Sequence, residues 1–189
     1  MMTQREALEV VAAMRGQQVV VTTMGSSGIF PTISDTPLDF AYIPSSMGQG
    51  IALGLGLALA QPSRGVIAVM GDGSLLMNLG ALVTVANHPA PLHVVLIDNG
   101  LYEVTGGQPV AGAGRTDFAG LAKSAGINRV EAFTDLVGWK ARAAEMLSGP
   151  TPSFTWLKVQ GLKGQKTPLP PHPMAEQIAR LRSAIGVSE

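Results

Sequence analysis

The sequence predicts an α/β fold: a parallel sheet, doubly wound, with helices on both faces in three layers. Three observations carry this. Apolar, β-branched runs such as Val66 to Met70 and Leu92 to Ile97 read as short buried strands, each ending abruptly in a polar turn. Segments of helical length separate them, so the strands connect by crossovers and lie parallel. No internal repeat points to a solenoid. The 189 residues make one domain, 1–189, long enough for a full core.

Taken in order, Thr3 to Met14 is an amphipathic helix with Ala7, Leu8, Val11 and Met14 on one side. Gln18 to Thr22 is the first buried strand. A turn of small and hydroxylated residues follows, Thr23-Met24-Gly25-Ser26-Ser27-Gly28, at the carboxyl edge where open α/β sheets bind ligands. The proline-marked stretch Pro31 to Asp39 leads to a short strand, Phe40 to Ile43. After Ser45-Ser46-Met47-Gly48-Gln49 a helix runs to Ala60, apolar all round and therefore expected to be buried. At about 14 residues it is shorter than the roughly 20 needed to span a bilayer. Its Gly54-x-Gly56 lies within the helix and lacks a third glycine, which argues against a dinucleotide fingerprint.

The chain is organised around the next stretch, Arg64 to Gln108. Strand Val66 to Met70 ends in Gly71-Asp72-Gly73-Ser74. Leu75 to Asn87 reads as a buried helix with Ser74 as its N-cap, and strand Leu92 to Ile97 ends in Asp98-Asn99-Gly100. Parallel strands bring both polar turns to one sheet edge. Asp72 and Asn99, 27 positions apart in sequence, then stand side by side. A carboxylate, a carboxamide oxygen and a backbone carbonyl are hard oxygen ligands suited to Mg²⁺, which shares its shell with water and phosphate. Gly71 and Gly73 leave room for a phosphate, and the amides opening the helix at Ser74 favour an anion. Taken alone, Gly-Asp-Gly is an ordinary turn; paired with a second polar turn after a parallel strand, it becomes a candidate site for a metal-bridged diphosphate.

GDGS followed by Asn99 resembles the thiamine-diphosphate motif, and NGLYEVTGGQP resembles the small-subunit type of phosphonopyruvate and sulfopyruvate decarboxylases. The resemblance implies a thiamine-diphosphate-binding fold. It makes Asp72, Asn99 and the carbonyl of Leu101 the Mg²⁺ ligands. Gly71, Gly73, Ser74 and Tyr102 join them against the cofactor. Where the family commonly has Asn-Asn, this chain has Asp98-Asn99, with the ligating second position intact. The resemblance also places a hydroxyl against the diphosphate, Ser26 first and Ser27 close behind. SSMG resembles the family's GSMG. Met47, which otherwise reads as a core residue, would prop the bent cofactor, and the carbonyl of Ser45 would accept from its 4′-amino group. Two departures stand out. The resembled subunits carry Lys or Arg in the loop where Ser26 to Phe30 has neither. The position of the catalytic Glu in the larger pyruvate-decarboxylase type, counted from Asn99, is Thr105 here; Glu103 is the nearby carboxylate.

Downstream, Gly106, Gly107, Gly112 and Gly114 mark either a lid or a surface loop. Asp117 to Ala125 is a helix, Val130 to Phe133 a strand, and Thr134 caps a helix to Leu147 with a wet face of Lys140, Arg142 and Glu145. Phe154 to Val159 is the last strand. The tract Lys166 to Pro173 crosses the surface, and Met174 to Ile185 closes the chain as a helix. His88, His93 and His172 read as structural or solvated, and no Ser-His-Asp arrangement can be argued.

Composition narrows the function. Formal net charge is zero with Lys and Arg scattered, so neither nucleic acid nor an anionic membrane is indicated. Charged residues are 14% against a usual figure of about 25%, which suggests surface hidden against other chains. Cysteine is absent, excluding disulfides and Cys-ligated clusters. The N-terminus lacks a signal-peptide core, and a cytoplasmic location is expected.

The resemblance further implies that the Glu which activates the cofactor belongs to a separate pyrimidine-binding, α-type subunit. The expected activity is decarboxylation of a small 2-oxo acid, with sulfopyruvate or phosphonopyruvate as the implied substrates. Alternatives are a carboligating subunit of the acetolactate-synthase type and a non-catalytic cofactor-binding or assembly subunit. A ferredoxin-linked oxidoreductase subunit fits less well, for want of cluster-binding cysteines.

Overall fold

A computed structural model describes residues 1–164 and 168–187. Helix α1 (Gln4–Met14) opens with a capping box, Thr3 accepting from the Glu6 amide while the Glu6 carboxylate accepts from Thr3. It leads into β1 (Val19–Thr23), then the one-turn helix α2 (Gly25–Ile29), a 3₁₀ turn (Phe30–Thr32) and β2 (Asp39–Tyr42). Next come α3 (Gly50–Ala60), β3 (Val66–Gly71), α4 (Asp72–Leu76), α5 (Gly80–Asn87) and β4 (Leu92–Asp98). A small hairpin, β5 (Leu101–Tyr102) and β6 (Gln108–Pro109), encloses a second 3₁₀ turn (Glu103–Thr105). The chain closes with α6 (Phe118–Ser124), β7 (Arg129–Phe133), α7 (Leu136–Ser148), β8 (Ser153–Lys158) and α8 (Met174–Ala184).

Six strands form one parallel sheet in the order β2-β1-β3-β4-β8-β7. Alternate strand residues feed two cores, one on each face. Val20, Ile67, Val69, Val95, Ile97 and Leu157 pack beneath α1 and α7, around the fully buried Trp139. On the other face Val66, Ala68, Met70, Val94 and Leu96 pack against α3, α5, α6 and α8. The three-layer, doubly wound expectation is met. In register, β3 and β4 run from Val66 opposite Leu92 to Gly71 opposite Ile97, so their carboxyl ends are flush.

Several expectations change. The segment after β3 is not one helix from Leu75. It begins at Asp72, with Gly71 extended as its N-cap, and breaks at 77–79 before α5. Ser74 is therefore not the N-cap but lies inside α4, because the turn tightens directly after the strand. Helix α7 is capped by Asp135 rather than Thr134, its carboxylate accepting from the Gly138 amide. Met14 is exposed.

The apolar helix α3 is only half covered. Ile51, Gly54, Leu55 and Ala58 are buried on the sheet, while Ala52, Gly56 and Leu59 face outward, Leu59 being 54% exposed. Uniform apolarity did not imply full burial within this chain. Among the described residues no helix is long and apolar enough to cross a membrane. Lys166 and Thr167 of the proline-rich tract lie outside the described residues. The rest of that tract is irregular and mostly exposed. His172 in it pairs with Asp35 and Glu176, and Arg180 joins on Asp35.

Candidate cofactor site

The site is built where β3 and β4 end. Asp72 follows β3 directly and is 2% exposed. One of its oxygens, Oδ2, accepts from the Gly100 amide at 3.0 Å, tying the two loops together across the rim. Gly100 has φ +70°, in the left-handed region that glycine enters without strain. Asn99 turns its Oδ1 back to the Leu101 amide at 2.9 Å, an Asx turn that fixes the carboxamide. That oxygen keeps a second lone pair. Asp98 lies beside Asp72 and accepts from Trp156 Nε1 at 2.9 Å.

Burial, followed by the neighbouring Asp98 carboxylate, pushes the Asp72 carboxyl up to about 7. A cation placed against Asp72 would favour its charged form and offset both causes. Among the described residues no three His, Asp or Glu side chains converge on a metal position. A divalent ion here would rest on one carboxylate, one carboxamide and backbone carbonyls, which is a Mg²⁺-like donor set.

These groups line a partly open cavity at the rim. Of the residues singled out from the sequence, Ser26, Met47, Gly71, Asp72, Gly73, Ser74, Asn99, Leu101 and Tyr102 line it. Ser27 and Ser45 do not. The Ser27 hydroxyl is fully buried and donates to the Met24 carbonyl at 2.6 Å, so its position in α2 turns it inward. The Ser45 hydroxyl is buried and has no partner among the described residues.

Neighbouring contacts fix the rest of the wall. Ser74 Oγ accepts from the Gly48 amide at 3.1 Å and Asn78 Nδ2 donates to the Gly48 carbonyl at 3.3 Å, which clamps the loop carrying Met47 onto α4. Met47 is 53% exposed; it does not behave as a core residue. The Tyr102 ring lies directly on Gly73, where a Cβ would stand 2.3 Å from Cε1. Gly71 is more open, its nearest neighbour being the Ile97 carbonyl at 4.0 Å.

Sequence reasoning gave no role to Gln4, Met77 and Val104 on this wall, while Thr23 and Met24 belong to the turn it placed at the ligand-binding edge. Gln4 Nε2 donates to Ser26 Oγ at 2.9 Å across 22 positions, a contact no local pattern announces. Met24 has φ +49°, a backbone strain that could not be read from its identity. The glycine-marked stretch expected as a lid or loop supplies the β5–β6 hairpin, whose Leu101 to Thr105 form one wall.

The donor set suits the implied cofactor: an anchored carboxylate and carboxamide for a metal, a hydroxyl at Ser26, and an open glycine at the rim. The fold and site together define a diphosphate-binding α/β unit of the thiamine-dependent kind. Residues 23–155 match the family model described as thiamine pyrophosphate enzyme, C-terminal TPP binding domain, and the chain belongs to that family.

Among its relatives, the sulfopyruvate decarboxylase subunit beta of Methanothermobacter thermautotrophicus is 41% identical over 139 residues, covering 72% of this chain and 74% of the relative. The phosphonopyruvate decarboxylase of Streptomyces viridochromogenes is 37% identical over 147 residues, covering 77% of this chain but 36% of the relative. This chain thus spans about a third of that longer protein. The solved thiamine diphosphate-dependent 4-hydroxybenzoylformate decarboxylase of Rhodococcus jostii RHA1 shares the fold. Its TM-score is 0.67 at 21% identity, covering 87% of this chain and 33% of the other.

Proposed function

We propose that this chain, as a single domain, holds thiamine diphosphate and Mg²⁺ for a two-subunit 2-oxo acid decarboxylase. The observation that carries the reading is the Gly100-to-Asp72 hydrogen bond, which locks two separate loops into one oxygen-rich rim over the cavity. Asp72, Asn99 and the Leu101 carbonyl would hold the ion. Ser26, Gly71, Gly73 and Ser74 would face the diphosphate, with Met47 and Tyr102 along the rest of the cofactor. Ser27 stays the weaker candidate, and Ser45 contributes through its backbone carbonyl. When bound, the cofactor supplies the electron sink for loss of CO₂. This chain's own residues would anchor and orient it.

The activating Glu would come from a pyrimidine-binding α-type partner. A partner is supported by the naming of a relative as a subunit beta and by the uncovered apolar face of α3. Self-association and a cytoplasmic location belong to the same reading.

The test is calorimetry of thiamine diphosphate binding with and without Mg²⁺. Asp72→Asn is expected to weaken Mg²⁺-dependent binding at least about tenfold, since a neutral amide is a poorer ligand for this ion. It should also leave the fold intact, because it removes a buried carboxylate from beside Asp98. Equal binding by variant and parent overturns the site. Copurification through a tag on this chain, followed by CO₂ release from a panel of 2-oxo acids, tests the reaction. Carboligated products would point instead to acetolactate-type chemistry.

A further inference from the structure

We infer that Gln4, the first residue of α1, is a positioning residue for the Ser26 hydroxyl, holding it so that its proton is offered to an anion in the cavity. This rests on the thiamine-diphosphate reading above and adds α1 to the elements that recognise the cofactor's diphosphate. A serine hydroxyl has one proton to give and two lone pairs to fill. Gln4 Nε2 donates to Ser26 Oγ at 2.9 Å and so fills one of the lone pairs. Among the described residues no acceptor takes the Ser26 proton. Ser26 is buried and lines the cavity together with Gln4, so an anion bound there supplies the acceptor. Ser27 is the contrast: its hydroxyl already donates to the Met24 carbonyl at 2.6 Å and has no proton left to give.

The Gln4 carboxamide is itself held in place. Met2 is buried and bridges in parallel to Val159, and the Gln160 amide donates to the Met2 carbonyl at 3.0 Å. The capping box at Thr3 then starts α1 at Gln4. Helical side chains lean toward the helix N-terminus, which carries the Gln4 amide past the end of α1 and over the turn after β1. There it reaches Gly25, where a Cβ would stand 3.6 Å from Nε2 and 3.7 Å from Oε1. Donation from Gln4 does two things to Ser26. It fixes the hydroxyl rotor, and it polarises the O–H bond so that the proton is a better donor to a charged oxygen. A carboxamide turned the other way would consume that proton and leave the anion facing lone pairs. The two orientations therefore predict opposite effects when Gln4 is removed.

The experiment uses the complex copurified through a carboxyl-terminal tag on this chain and titrates it with thiamine diphosphate and Mg²⁺ in a calorimeter. Ser26→Ala is expected to raise Kd about tenfold, the loss of one hydrogen bond to a charged group. Gln4→Met keeps the length of the side chain but has no donor, and should raise Kd about threefold. Combined with Ser26→Ala it should add nothing, because Gln4 acts only through that hydroxyl. Gln4→Glu, a second variant of nearly the same shape, accepts the proton instead and should raise Kd at least about tenfold. Circular dichroism checks that each variant is folded. A Kd unmoved by Ser26→Ala or by Gln4→Glu overturns the inference. So does Gln4→Met that binds as the parent does or more tightly, or that costs the same with and without Ser26. A parent that binds thiamine diphosphate, weakened by Asp72→Asn but not by Gln4→Met, keeps the cofactor reading and loses only the inference. No binding by the parent complex overturns the cofactor reading itself, and the inference falls with it.

Discussion

A methyl group on Gly73 would meet the Tyr102 ring at 2.3 Å, so this glycine is required by the aromatic side chain packed on it. Gly73→Ala is expected to cost about 1–3 kcal/mol by overpacking and to weaken cofactor binding by moving Tyr102; urea unfolding and calorimetry check both. His93 shows the opposite situation, a polar residue read correctly as structural. It is 2% exposed and its Nδ1 is 2.8 Å from Ser153 Oγ. Burial, with help from the Arg129 charge, holds its pKa down to about 4. The unfolded chain binds the proton near pH 6.5 and the folded one does not, so stability falls as pH drops from about 6.5 to about 4. The share owed to His93 is roughly 3 kcal/mol. His93→Gln should flatten that part of the pH dependence in urea titrations. At this scale the sequence shows Asp72 and Asn99 because each ends a strand in a recognisable turn. It hides Gln4, whose role exists only once α1 lies beside α2.

At the scale of elements, helix caps and strand patterns are written locally and most were legible. The Thr3 capping box is one such case: Thr3→Ala should lower stability by about 1 kcal/mol, read as a shifted urea midpoint without change in slope. Legibility fails where neighbours decide. The break between α4 and α5 occurs in an apolar run with helical length and no proline, and the clamp of Ser74 and Asn78 on Gly48 accompanies it. The β5–β6 hairpin pairs only two residues on each side, too short a ladder for any alternation to reveal it. Thr134 and Asp135 are both good caps by type, and only the observed bond from Gly138 distinguishes them.

For the whole molecule, the parallel sheet and its three layers follow from crossover rules and were anticipated; the strand order and the coverage were not. Helix α3 presents one apolar face to the sheet and another outward, and no pattern along a uniformly apolar helix can say which neighbour covers which side. Leu59→Asp places a charge on the outward face. It is expected to leave the monomer's stability within about 0.5 kcal/mol while lowering the mass of the copurified assembly in light scattering.

The parallel pairing of β3 with β4 also has a bearing on descent. Because Gly71 stands opposite Ile97, the alignment of Asp72 with Asn99 is set by rungs of the sheet and not by the chain between them. Residues can be gained or lost in the crossover without spoiling the alignment. A single residue inserted within either strand would slide one loop by about 3.3 Å and reverse its side chains. Distance along the chain is therefore a poor guide to homologous sites of this kind; the count that matters is taken across the strands.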